Sequence, residues 1–293
     1  NAYADLNKAM YVVRAATQGV MGGNLAGYFL VHDDNSGGTG DNQWFTVGAR
    51  QAGKLAGLDY RVEYYHQFGD GAVPATSSQQ VDAYTGTITN TSDIDRDAYL
   101  FGIRVGKTFK NARFSPTFTL WYDNKSGQDD DDVNGNDYGA YNTVQDTGHK
   151  FYGLLDNYLS AIGNDTQRYG LEDIAIKAKF NVSEKNVFKI DWHQFLTQTN
   201  LEDGDSDTIR TNSTSGAFTT ANNGTGVLGN DLGQEIDLTL VHKYDANTKI
   251  VTGYSHYFTT LTHSLLNGSG AGRNTVANSD DQSWFYMMID TTF

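Results

Sequence analysis

Large apolar and polar side chains alternate along most of this chain. In residues 58–67, Leu58, Tyr60, Val62 and Tyr64 fall on one face, and Asp59, Arg61, Glu63, Tyr65 and Gln67 on the other. A period of two is the signature of a strand with one apolar and one wet face. Tyr99, Phe101, Ile103 and Val105 likewise oppose Gly102, Arg104 and Gly106, and after the link 110–112, Phe114, Phe118, Leu120 and Tyr122 oppose Ser115, Thr117, Thr119 and Asp123. A second hairpin places Ile174, Ile176, Ala178 and Phe180 against Asp173, Lys177 and Lys179, then Phe188, Ile190, Trp192 and Leu196 against Lys189, Asp191 and His193. A third sets Ile236, Leu238 and Leu240 away from Glu235, Asp237, Thr239 and Lys243, with a return strand near 249–258. The last nine residues repeat the pattern, with Phe285, Met287, Ile289 and Phe293 sharing a face and Asp290 and Thr292 on the other. Taken alone, those nine would also suit an edge strand of a soluble β-sandwich.

The connections decide between the two. Short links near 54–57, 110–112, 182–186 and 244–247 interleave with long polar stretches near 69–96, 124–150, 200–232 and 262–282. A compact soluble domain rarely carries several structureless loops of this length, whereas transmembrane barrels have short periplasmic turns and long external loops. Composition agrees, with 32 Gly, 18 Tyr, 15 Phe, 2 Pro and no Cys among 293 residues. A mean hydropathy of −0.52 and no run of about 18 apolar residues exclude a helical membrane protein. Barrel strands of about 9–11 residues need only one apolar face, which keeps the average low. The expected fold is all-β, a transmembrane antiparallel β-barrel of outer-membrane type with ten to twelve strands, two of them at 10–15 and 152–160. A formal charge of −14 disfavours nucleic acid as a partner, and without cysteine there is no thiolate metal site.

Alternation assigns Arg50, Arg61 and Arg104 to the lumen, with Lys177, Lys179, Lys189 and Lys243. Glu63, Asp191, Glu235 and Asp237 fall on the same face. Basic groups lining a pore lower the barrier for an anion, but such groups also pair across strands simply because that face is wet. His193, His242 and His256 lie in separate strands without metal-ligand spacing. The run Asp129-Asp130-Asp131-Asp132 lacks the Gly and Glu placement of a calcium loop. No GxSxG nucleophile motif is present. No catalysis, cofactor or metal is therefore expected. Trp44, Trp121, Trp192 and Trp284 suit interfacial girdles or plain packing.

Five stretches, in order, resemble the alginate-export family of outer-membrane porins: residues 23–30 (GNLAGYFL), 57–60 (GLDY), 142–156 (NTVQDTGHKFYGLLD), 232–238 (LGQEIDL) and 253–258 (GYSHYF). Residues 149–156 and 232–237 are the most specific of these. The resemblance implies a bacterial outer-membrane β-barrel porin that conducts an anionic uronate polysaccharide such as alginate through a basic lumen, with loops that partly gate or plug it. It singles out Arg50, Arg61 and Arg104, because guanidinium stays charged and can grip carboxylate bidentately. It also implies about eighteen strands, so residues 1–293 are expected to form a single barrel domain lacking the family's amino-terminal strands. A strand ending on an aromatic residue implies the barrel-assembly machinery as a partner, beside the lipid bilayer and the acidic solute. The alternative is a structural or partner-binding barrel with a plugged lumen.

Overall fold

The computed structural model describes residues 8–34, 43–71, 95–129, 132, 137–143, 151–159, 166, 169–199, 211–212, 216–217, 229–260, 262–263 and 280–292. Strands β1 (Lys8–Val20), β2 (Gly23–Asp34), β3 (Gln43–Leu55), β4 (Leu58–Asp70), β5 (Asp95–Thr108) and β6 (Thr117–Lys125) are followed by the two-residue β7 (Asp137–Tyr138). Then come β8 (Leu171–Asn181), β9 (Asn186–Leu196), the minor pair β10 (Thr211–Asn212) and β11 (Gly216–Ala217), β12 (Asp231–Lys243), β13 (Thr248–Thr259) and β14 (Gln282–Thr291). One twelve-stranded sheet holds all but β10 and β11, in the order β1-β2-β3-β4-β5-β6-β8-β9-β12-β13-β14, with β7 added in parallel beside β5. Every other ladder of the large sheet is antiparallel between neighbours in this row. This is an up-and-down meander of strands long enough to cross a bilayer.

Local chemistry sets the turns. Met21-Gly22 and Ala56-Gly57 each put two successive residues at positive φ (47° and 72°, 50° and 79°), the hairpin geometry that matches the right-handed twist of the flanking strands. The short connections between β1 and β2, β3 and β4, β5 and β6, β8 and β9, and β12 and β13 all lie at one end of the sheet, and the long ones at the other. The alternation of lengths expected from the sequence is present.

The two faces differ as the period-two pattern requires. Phe118, Leu120, Ile174, Ile176, Leu240 and Tyr254 stand exposed on the outer face, whereas Glu63, Gln67, Arg104, Asp123, Asp173 and His193 are buried on the inner one. Apolar side chains facing out and charges facing in invert the soluble rule and suit a wall with lipid outside. Residues 10–15 form part of β1, as expected. The strand expected at 152–160 is absent over 152–159, which instead lie across the inner face of the sheet. Of the two readings open for the tryptophans, girdle or plain packing, three take the second. Trp44, Trp121 and Trp284 sit in register with the inward residues Gly69, Arg104 and Ser255, and only Trp192, opposite Ile236, faces outward. Both edge strands are solvent-exposed on two faces, with Met10, Tyr11, Val12 and Val13 of β1 each about half exposed or more. Among the described residues β1 and β14 each have one neighbour only.

Candidate functional site: the lumen and the segment that crosses it

Between β6 and β8 the chain folds back into the lumen. Near β4, the Gln67 side chain clasps the backbone of Asn142, its Nε2 donating to the carbonyl at 2.6 Å and its Oε1 accepting from the amide at 3.0 Å. Phe151 lies over the Trp121 indole at 5.7 Å, edge on, and Tyr152 lies under the Lys125 ammonium at 4.7 Å. On β12 the Glu235 carboxylate accepts from the amides of Leu154 and Leu155 at 2.7 and 2.9 Å. Further across, the Tyr158 hydroxyl meets that of Tyr257 on β13 at 2.5 Å and His263 Nδ1 at 2.9 Å, while its ring packs on Phe195 at 4.8 Å. The segment thus spans the inner face from β4 to β13. At the long-loop end β7 is fastened by Arg96, whose guanidinium lies between Trp44 and Tyr138 at 4.5 and 4.6 Å from their centroids. The other face of Trp44 is covered by His32 at 3.5 Å.

Two ionic networks underlie the segment. In the first, Arg104 donates from Nη1 to Glu63 at 2.6 Å and from Nη2 to both oxygens of Asp123 at 3.0 and 2.8 Å, with its guanidinium 3.5 Å above Trp121. Arg61 closes on the other oxygen of Glu63 at 2.6 Å. Two cations and two carboxylates thereby neutralise one another. In the second, the fully buried His193 places Nδ1 2.8 Å from Asp173 and Nε2 3.1 Å from the Lys177 ammonium. A lysine can only donate, so the proton belongs on Nδ1, which donates to Asp173. Lys177 also reaches Asp191 at 3.3 Å, and Ser255 donates to Asp237 at 2.5 Å.

Toward the short turns the balance changes. Lys179 of β8 stands directly opposite Lys189 of β9, and neither has a carboxylate partner among the described residues. With Lys177 and Lys249, and with the acids Asp191 and Asp237, they line a cavity of about 550 Å³, roofed by Gly153 and Leu154 of the crossing segment and belted by Val241 and Val251. Lys249 pairs with Asp290 at 2.7 Å and is opposite Lys243 in register. On the β4–β6 side of the segment a second cavity of about 320 Å³ borders Arg61, Arg104, Tyr141 and Phe151.

Each charged residue expected in the lumen lies on the inward face, but in different states. Arg61, Arg104 and Lys177 are engaged with Glu63, Asp123 and Asp191. Arg50, opposite Glu63, and Lys179, Lys189 and Lys243 have no ion pair among the described residues. Glu235 and Asp237 hold the crossing segment and Ser255 rather than a lysine. Sequence reasoning gave Trp121 no place in the lumen, overlooked Lys125 and Lys249 as lumen residues, and left Asp173 and His193 without a role. The period-two signal through Thr117, Thr119, Trp121 and Asp123 would have placed Trp121 inside, had its aromatic identity not suggested a girdle.

A wall of long antiparallel strands, apolar outside, charged inside and with its turn lengths segregated by end, is that of an outer-membrane channel. The chain belongs to the alginate-export family, whose model matches residues 3–260, and is a β-barrel porin of the bacterial outer membrane. A solved structure titled as the NanC porin in a rhombohedral crystal form aligns over 98% of this chain and 95% of its own, with 11% identity and a TM-score of 0.37. That likeness is too loose to bear on the lumen. No curated protein matches the sequence.

Proposed function

We propose that this barrel passes an anionic polysaccharide, alginate or a related acidic solute, by passive diffusion, and that the crossing segment closes the lumen at rest. The observation that carries this reading is the lysine-lined cavity beneath the segment. Lys179 and Lys189 face each other with no carboxylate partner among the described residues, a like-charge placement that opposes stability and offers a carboxylate two ammonium groups at once. Short turns face the periplasm in this class of barrel, so the cavity is the first basic surface an acidic chain meets from that side. Arg50, Lys243, Lys177 and Lys249 extend the basic lining. Arg61 and Arg104 serve as framework, balanced by Glu63 and Asp123. The only reactions the site calls for are binding and release, with no cofactor.

The exposed edges of β1 and β14 support a single barrel domain to which further strands are added, since open edges are not tolerated in lipid. The two edges run in the same direction along the eleven-strand row, so antiparallel closure calls for an odd number of additional strands. Residues 282–293 are the segment offered to the assembly machinery. The crossing segment also favours a second reading, a plugged barrel that serves a partner and conducts nothing. Full-length protein in a planar bilayer separates the two, by single-channel conductance and reversal potential across a salt gradient with and without oligo-uronates. Anion-selective current blocked by the oligomers is expected. A silent barrel overturns the channel reading, and a cation-selective one overturns the anion route.

A further inference from the structure

The segment that crosses the lumen is shaped around one carboxylate. Tyr152 and Gly153 both have positive φ, 60° and 84°, and the turn they make aims the next two amides, of Leu154 and Leu155, at Glu235 Oε1. Successive amides converging in this way form an anion-binding nest. The fit is close enough that a Cβ on Gly153 would collide with the Glu235 carboxylate. Glu235 itself is poorly provided for apart from the nest. It is fully buried, its Oε2 has no hydrogen-bond partner among the described residues, and the next inward residue on its strand is another acid, Asp237. On neighbouring strands it faces His193 and Tyr257. Gly153 and Leu154 also form the roof of the lysine-lined cavity, so the nest borders the space that an acidic solute would occupy.

We propose that the nest at residues 152–155 is a carboxylate-binding site, occupied at rest by Glu235, and that a solute carboxylate rising from the cavity takes the place of Glu235 and frees the segment. This rests on the reading of the solute as acidic. Glu235 is a tethered stand-in for the ligand's own carboxylate, and the contact that closes the pore is the one the solute replaces. Exchange leaves both amides satisfied, with the solute beside Lys177 at the cavity wall. An uncharged sugar offers the amides only hydroxyl oxygens, which accept more weakly than a carboxylate.

Full-length protein in planar bilayers tests this with glucuronate as probe and glucose as the uncharged control. Glu235→Ala and Gly153→Ala break the same contact from opposite sides, one on the wall and one in the segment, so a folding defect in one leaves the other informative. Each is expected to raise the open-to-closed ratio without solute by roughly ten- to a hundredfold, the value of a charge-assisted hydrogen bond. Glucuronate, and not glucose, is expected to raise the ratio in the unaltered protein and to add nothing in Glu235→Ala. If both variants gate like the unaltered protein, or if glucuronate opens Glu235→Ala as strongly, the exchange is refuted. The reversal potential in the same traces reports anion selectivity independently of gating, which separates failure of the latch from failure of the acidic-solute reading.

Discussion

Replacing Arg104 by Met should damage the barrel's stability far more than its selectivity. The guanidinium is 8% exposed and makes three hydrogen bonds to two buried carboxylates while stacked on Trp121. In Arg104→Met, Glu63 keeps Arg61, but Asp123, 2% exposed, loses the one cation that pairs with it among the described residues. Removing one partner of a buried pair costs about 3–5 kcal/mol, because the other charge is left uncompensated. Loss of the stacking on Trp121 is contained within that figure. Equilibrium urea unfolding of the barrel in detergent micelles, followed by tryptophan fluorescence, should therefore show a loss of about 4 kcal/mol. The double variant Arg104→Met/Asp123→Asn removes the orphaned charge and should recover most of it, leaving a deficit of about 1–2 kcal/mol from the lost hydrogen bonds. Since it removes one charge of each sign, its reversal potential should match that of the unaltered protein. A loss below about 1 kcal/mol in the single variant, or a loss of anion selectivity in the double one, would refute Arg104 as framework and return it to the solute.

Lys179→Gln/Lys189→Gln should do the reverse, moving the reversal potential toward cation selectivity while unfolding changes by no more than about 0.5 kcal/mol; unchanged selectivity would count against the vestibule. Acid should loosen the far end of the crossing segment. Burial holds His263 neutral, with its pKa lowered from 6.5 to about 4, and its Nδ1 faces the Tyr158 and Tyr257 hydroxyls. A depressed folded-state pKa contributes stability above pH 6.5 that is lost as pH falls toward 4, up to about 3 kcal/mol. The protection factors for hydrogen exchange at residues 154–159, which take out the intrinsic pH dependence of exchange, should fall over that window in the unaltered protein and not in His263→Gln. Gly253→Ala should weaken the β13–β14 pairing, because its Cβ would strike the Tyr286 ring lying across Gly253; a loss of about 1–3 kcal/mol in urea unfolding is expected, and additional truncation of Tyr286 should relieve it.

The wall was legible because its physics is local. A strand with lipid on one side and water on the other must alternate, so Val62 against Glu63 or Ile176 against Lys177 betrays both the strand and its orientation. Turn length then orders the ends. What alternation could not give is which inward charges are spent on each other. Arg61, Arg104 and Lys189 look alike in sequence, and only the register, with Asp123 beside Arg104 and Lys179 beside Lys189, separates framework from free charge. The segment at 152–159 misled for the opposite reason. Tyr152, Leu154 and Tyr158 carry a strand-like density of apolar side chains, but inside the lumen Tyr152 packs on Lys125, Leu154 roofs the cavity and Tyr158 packs on Phe195. A single period-two rule cannot tell the outer apolar face from an apolar filling.

The two stretches that carry the family resemblance most specifically, 149–156 and 232–237, lie about 80 residues apart and meet at one carboxylate, where Glu235 binds the amides of Leu154 and Leu155. Neither stretch has an obvious reason for its sequence alone. A glycine at positive φ in one is needed only because a buried acid in the other occupies the space a side chain would take. A buried acid beside Asp237 is costly unless amides face it, and those amides come only from the segment. The wall and its filling therefore hold each other in place through a contact that has no partner of opposite full charge. That is a weaker tie than the chain of ion pairs that links Arg61, Glu63, Arg104 and Asp123 within the wall. A barrel meant to stay shut would place its ion pairs across the segment and the bare amides in the wall. This one does the opposite, with the ion pairs inside the wall and the uncharged amides at the crossing segment, the arrangement that the proposed exchange needs.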